Sequence, residues 1–359
     1  MKKYICLILC LCMFLSFAGC KSQATLGGNF EDKDYANCGY LIATDYVSGD
    51  GTADVSEPLQ KLIDENPNRT IFFPDGVYLL SKPILTSADP KKSVALLLSD
   101  FARLQASDDW NSTEAMVRLG AKDDANDISV PGSNYGFSGG IIDGADKAKA
   151  ISIEGGRETY IRNTNIKNVS IGIHIKRGVN SGSSDADISA VNIIGNGSLD
   201  SVGVLIEGFD NTLTNMRIAN VFTGVDVRSS GNMLRNIHPL FYLHPETAAH
   251  YEESVGFRIA YGLNWFDYCY SDQFAVGFDT YGAGVLKNCF CWWYSDQEKL
   301  HIALRSAAPF FGSVDTLVIG GAHHPDHPNQ FMDPVLIAES GSVQNVTLVT
   351  PNGKTERIY

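Results

Sequence analysis

Positive charge is scarce in this 359-residue chain: 28 Lys and Arg stand against 41 Asp and Glu, a formal net charge of −13. Nucleic acid and anionic membrane faces need a basic patch to release counterions or meet lipid headgroups, so neither is expected as the main partner. Charge of either sign is sparse, 19% of residues against 44% hydrophobic, which excludes a disordered chain. Beyond residue 20 no stretch reaches the ~20 apolar residues that a membrane-spanning helix needs. Cysteine is equally thin. Of the eight, Cys6, Cys10 and Cys12 lie in the N-terminal apolar run, and the other five, Cys20, Cys38, Cys269, Cys289 and Cys291, contain no CxxC pair of the zinc type.

What is present begins with an export signal: Lys2-Lys3, an apolar run over 4–17, then Ala18-Gly19-Cys20. The last three residues resemble a bacterial lipobox, in which the cysteine is lipidated and becomes the mature N-terminus; Phe17 departs from the usual aliphatic residue. The expected organisation is a signal over 1–20, a polar tether over 21–40 and one folded domain over 41–359. The protein is then anchored in the cell envelope, at the periplasmic or outer surface, and meets the membrane only through the lipid on Cys20.

The folded part repeats. Six segments, 161–166, 188–193, 213–218, 234–239, 266–271 and 290–295, have mostly apolar first and last positions. Each leads to a second short strand: Gly172-Ile173, Gly203-Val204, Gly224-Val225, Gly256-Phe257, Gly277-Phe278 and, less cleanly, His301-Ile302. A period of roughly 20–50 residues signals a solenoid, here with two strands per coil. Tyr270-Ser271-Asp272-Gln273 returns 24 residues later as Tyr294-Ser295-Asp296-Gln297, about one coil on. Asn163, Asn215 and Asn236 share a column, which suggests an asparagine ladder whose amides bond the backbone of the next coil. Cys269 and Cys289 lie one coil apart, either as a disulfide or, as is commoner in such cores, as buried thiols. The tail over 333–359 is expected to cap the last coil.

Ahead of the repeats come Gly49-Asp50-Gly51, Asp54, a short helical pattern over 55–63 containing Gln60, and Phe73-Pro74-Asp75-Gly76-Val77-Tyr78. This stretch of about forty residues resembles the N-terminal lead-in of the pectate-lyase superfamily, with Val55-Ser56 replacing the usual acidic-Thr pair. The resemblance implies an all-β, single-stranded right-handed parallel β-helix with a short N-terminal capping helix. It says little about activity, because one fold carries many functions.

Chemistry is read from the outward positions of the segments. The fifth position runs Asn165, Asn192, Arg217, His238, Tyr270, Tyr294, and the second runs Arg162, Ser189, Thr214, Arg235, Asp267, Cys291. Parallel strands lie ~4.8 Å apart, so four coils present a stripe of ~15 Å, room for two or three sugar units. Rings beside ionisable groups suit carbohydrate, since rings stack on sugar faces while polar groups read hydroxyls. A lyase acting by β-elimination on a uronic-acid glycan needs a cation, a base and an acid, here Arg217 or Arg235, His238 and Tyr270, with Asp267 beside them. Tyr294, His244, Asp272 and Asp296 would help to bind the polysaccharide. His244 belongs to an inserted segment, 241–254, that also holds Glu246, His250, Tyr251, Glu252 and Glu253.

No cofactor is required by this scheme. Some lyases of this fold use calcium, for which Asp267 and Asp272 could supply ligands. A glycoside hydrolase is the second reading: Asp272 and Asp296 in one column would stand about a strand spacing apart, near the ~5–5.5 Å of a retaining pair. The paired-Asp and Gly-His-Gly motifs of the polygalacturonase family are absent. A non-catalytic glycan-binding or structural lipoprotein is the third. The late run Ala322-His323-His324-Pro325-Asp326-His327-Pro328 has one carboxylate and two prolines and reads as a rigid terminal loop rather than a metal site.

Overall fold

The computed structural model describes residues 39–122, 136–155, 157–177, 184–293, 301–321, 335–336, 342–349 and 355–357. The unit Tyr40–Tyr359 is a right-handed parallel β-helix, all-β among the described residues apart from one α-helix and short 3-10 turns. No described helix is long and apolar enough to cross a membrane.

Three backbone columns run along the axis. The first two form one continuous strand in Thr212–Ala219, Met233–Leu240 and Val285–Trp293, giving the two strands per coil expected. They form separate strands in the coils 160–175, 187–206 and 265–280, which have three. Tyr160–Arg162, Asn165–Val169 and Ile171–Ile175 pair in parallel with Asp187–Ser189, Asn192–Gly195 and Val202–Ile206 of the next coil, and the pattern continues along the axis. The first two columns meet at one left-handed residue in each coil, a bend that splits the strand in some coils and not in others. That residue is Asn163, Ala190, Asn215, Asn236, Tyr268, Asn288 and Thr316 in successive coils, with φ from 53° to 67°. Asparagine tolerates this region better than most side chains, which explains its recurrence. The hinge also explains the burial pattern. Strict alternation would put the first and sixth positions on opposite faces, yet Ile161 and Ile166, or Leu213 and Ile218, are all buried, because the chain turns between them.

Ile161, Ile188, Leu213, Leu234 and Phe266 stack in the register read from the sequence. The sixth segment differs. Leu286, not Phe290, stands opposite Phe266, a step of 20 residues (266 to 286), so Tyr270 faces Phe290 and Asp272 faces Trp292. The Tyr-Ser-Asp-Gln repeat is therefore out of register, and Tyr294 and Asp296 themselves lie outside the described residues. Likewise Lys287, not Cys291, continues the second position after Asp267.

The third strand column explains the repeated Gly-aliphatic pairs. A Cβ on Gly172, Gly203, Gly224, Gly256 or Gly277 would lie under 3.0 Å from the carbonyl oxygen of the next coil, so only hydrogen fits. The following residues point inward: Phe257 and Phe278 stack at 4.8 Å with ring planes 6° apart.

Asparagines link neighbouring coils in several columns, of which two bear on the reading above. In the expected one, Asn236 Nδ2 donates to Asn215 Oδ1 at 2.9 Å, side chain to side chain rather than to backbone. The other is fully buried and was not anticipated. The backbone N–H of Asn211 donates to Asn232 Oδ1 at 3.1 Å and that of Asn232 to Asn264 Oδ1 at 3.0 Å, while the side-chain amides repeat both links at 2.9 Å. These residues precede the first strand of their coils, where the turn leaves backbone donors that water cannot reach.

The N-terminal edge is covered by α1 (Ser56–Glu65), which buries Leu59, Leu62 and Ile63. Gln60 seals that edge: its Nε2 donates to Leu85 O at 2.9 Å and its Oε1 accepts from Leu85 N at 2.7 Å. Asp54 is a staple rather than a reactive group. Partial burial would raise its pKa, but hydrogen bonds from Ser56 and Ser81 hold it down to about 2. At the other end, Ser342–Val349 extends the helix in parallel and Thr355–Arg357 pairs antiparallel with it. Cys269 and Cys289 are adjacent in register and are free, buried thiols, as is Cys291. Cys38 and the 322–328 run lie outside the described residues.

Candidate active site

Four of the singled-out residues converge on the second strand column. Arg217 stands opposite His238 in the strand ladder, and Leu240 opposite Asp272, which puts Tyr270 beside His238. The His238 and Tyr270 rings stack at 4.0 Å, 17° from parallel. The Tyr270 hydroxyl donates to Asp272 Oδ2 at 2.9 Å, and His238 Nε2 lies 3.4 Å from the same oxygen. Gln273 Nε2 donates to Asp272 Oδ1 at 3.1 Å. One carboxylate thus orients an imidazole and a phenol, both part-exposed, next to the exposed Arg217, whose Nη1 also donates to Met216 O at 3.2 Å. Phe290, at the place assigned from the sequence to Tyr294, extends the row of rings at 4.9 Å from Tyr270.

The remaining candidates sit apart. Arg235 and Asp267 lie on the first column, across the hinge, with Arg235 Nε 3.6 Å from Asp267 Oδ2 and Asn288 Nδ2 donating to Asp267 Oδ1 at 3.4 Å. His244 turns away from the stripe and bonds through Nε2 to Asn220 Oδ1. The 241–254 segment is pinned by buried Phe241, Thr247 and Tyr251, whose hydroxyl donates to Gln273 O at 3.0 Å, so it packs on the helix instead of hanging free. Cys20 and the signal lie outside the described residues.

The carboxylate placements bear on two alternatives. Asp267 faces Arg235 and Asn288, whereas Asp272 bonds Tyr270 and Gln273 on the other side of the hinge. Among the described residues no three His, Cys, Asp or Glu side chains gather as a metal site. Asp272 faces Trp292, not Asp296, which corrects the column that would have made a retaining carboxylate pair.

A second polar strip, absent from the sequence reading, covers the third column. Arg118 makes a bidentate pair with Glu154 at 2.7 and 2.8 Å, and Lys176 bridges Glu154 and Glu114 at 3.0 and 2.9 Å. His174 meets Glu207 at 2.9 Å, Arg228 meets Asp226 at 2.8 Å, and Arg305 grips Asp279 at 2.9 and 2.6 Å. Burial opposes the charge on Glu154, but hydrogen bonds from Arg118, Ser152 and Lys176 hold its pKa down to about 2. Burial lowers the pKa of His174 against the pull of Glu207. These charges are mostly satisfied by one another and knit neighbouring coils. Their signal in the sequence is the residue after each inward apolar side chain, as in Val225-Asp226, Phe257-Arg258, Phe278-Asp279 and Leu304-Arg305.

No family model and no curated protein sequence matches the chain. Solved structures do. The protein ORF18 of Geobacillus virus E2 superposes with a TM-score of 0.56 at 11% identity, covering 86% of this chain and 60% of that one. An alginate lyase from a Paenibacillus species gives 0.53 at 13% identity, covering 80% and 96%. A tailspike protein of E. coli bacteriophage HK620 gives 0.53 at 12%, covering 86% and 65%. This chain therefore spans about three fifths of the length of the viral ORF18 protein. At these identities the likeness is one of fold.

Proposed function

We propose that this chain is a carbohydrate-active β-helix protein that cleaves a uronic-acid glycan by β-elimination, held in the bacterial envelope by a lipid on Cys20. The observation that carries the reading is the meeting of the Tyr270 hydroxyl and the His238 imidazole at Asp272, on an outward strand face beside Arg217. With Nε2–H directed at Asp272, His238 keeps Nδ1 to accept the C5 proton of a uronate. Arg217 pairs with the uronate carboxylate and so stabilises the negative charge that develops next to C5. Tyr270 supplies the proton to the departing glycosidic oxygen, and Asp272 orients both partners. An alginate lyase of nearly the same extent shares the fold, which favours elimination over hydrolysis. The absence of a second carboxylate facing Asp272 in its strand pair points the same way.

The test is a screen of the full chain, in detergent, on uronic-acid and neutral polysaccharides, following the ultraviolet absorbance of unsaturated uronate and reducing ends together. Elimination raises both on an acidic glycan. His238→Ala is expected to cut turnover at least 100-fold, the scale of general acid–base catalysis, without loss of folding. Reducing ends without absorbance would instead mean hydrolysis, and binding without product a glycan-binding role.

A further inference from the structure

The hinge column contains one aromatic residue. Four of its seven positions are Asn, and the others are Ala190, Tyr268 and Thr316, the last a β-branched residue that is also uncommon at positive φ. Tyr268 holds φ at 54° with a bulky side chain, an outlier for its type. Tyr268 is 56% exposed, so burial does not offset the conformation. The ring also breaks the ladder on its column: Asn236 bonds back to Asn215 and Asn288 turns to Asp267.

The position of the ring is informative. Around this coil the outward residues run Trp265, Asp267, Tyr268, Tyr270, Asp272, with Trp265 itself 37% exposed. Tyr268 thus stands between the Arg235–Asp267 pair and the His238–Tyr270–Asp272 cluster. Strand partners bring Arg235 and Lys287 to either side of Asp267, both exposed. Counting Arg217, three cations share this face with three carboxylates, Asp267, Asp272 and Asp315, the last opposite Lys287 in the next strand.

We propose that Tyr268 is a stacking platform that seats one acidic sugar ring of a uronate oligosaccharide beside the His238–Tyr270 centre, its apolar face on the phenol and its carboxylate toward Arg235 or Lys287. The inference rests on the uronate reading above and extends it by one binding position. It makes Tyr268 a residue kept for ligand at a cost to the fold.

Two substitutions separate these effects. Tyr268→Asn installs the residue that the hinge column prefers, and Tyr268→Phe keeps a ring. In the full chain, Tyr268→Asn is expected to raise Tm by about 1–3 °C. It should also weaken calorimetric binding of hexamers of galacturonate, mannuronate, guluronate or glucuronate about tenfold, the scale of one lost ring stack. Tyr268→Phe should bind within about threefold of wild type on the same scale. His238→Ala is measured in parallel and should bind without turning over. Unchanged affinity in Tyr268→Asn, or a fall in Tm, overturns the platform while leaving elimination to be judged by His238→Ala. Binding of no hexamer by the wild-type chain overturns it as well.

Discussion

Acid should weaken this fold chiefly through the imidazole of His301. His301 is 1% exposed, stacked on Trp293 at 5.1 Å and edge-on to Tyr251 at 6.4 Å, and neither ring nitrogen has a hydrogen-bond partner. Burial alone pushes its pKa from 6.5 down to about 4. The unfolded chain therefore binds a proton that the folded chain refuses over that interval. The resulting stability is present in full above pH 6.5 and is lost as the pH falls through about 4. At 1.36 kcal/mol per unit, a depression from 6.5 to about 4 corresponds to about 3 kcal/mol. That is a large share of the 5–15 kcal/mol typical of a domain. Equilibrium urea unfolding at intervals from pH 7.5 to 4 would measure it. His301→Phe should lose little at pH 7.5, because an apolar ring replaces two unsatisfied nitrogens, and should flatten the decline between 6.5 and 4. An equally steep decline in the variant would refute the reasoning and shift the cause to other groups. His174, whose pKa is also lowered by burial, would act in the same direction, whereas Glu154 and Asp54, held at about 2, destabilise only at lower pH.

Two further substitutions probe the frame. Gly172→Ala would set a Cβ 2.6 Å from Gly203 O and 2.8 Å from the Ile193 Cγ2 methyl, and should cost about 1–3 kcal/mol in the urea midpoint analysis; an unchanged midpoint would show that the coils can spread. Asn232→Leu removes the central member of the buried ladder and strands groups on Asn211 and Asn264. A loss of about 3 kcal/mol or more is expected, and amide exchange should quicken at 211–213 and 264–266 before it does at the ends.

Legibility followed the length scale of each interaction. The stacking of Ile161, Ile188, Leu213, Leu234 and Phe266 could be read because each coil repeats one local burial pattern. The stripe of Arg217, His238 and Tyr270 came with it, since register carries outward positions as surely as inward ones. The reading slipped at 290–295, where an apparent repeat of four residues outweighed a shorter coil. Its two strands per coil hold where the bend leaves the strand whole, as in Thr212–Ala219, and miss the split at 160–169, 187–195 and 265–272, because a single left-handed residue leaves no gap in an extended pattern. Asn211, Asn232 and Asn264 escaped notice, since their spacings of 21 and 32 residues are irregular, and the ion pairs of Glu154, Asp226 and Asp279 were invisible for want of a register in the third column.

By itself, then, the sequence determined that this chain winds into a parallel β-helix, because apolar spacing, hinge asparagines and coil-spaced glycines are written residue by residue. Tertiary structure alone decided which charged groups meet. It brought Asp272 to both Tyr270 and His238, turned His244 away to Asn220, and placed Tyr268 between two polar clusters. The physical reason is that those contacts depend on coil length and side-chain direction, which are settled only when every coil has packed on the next.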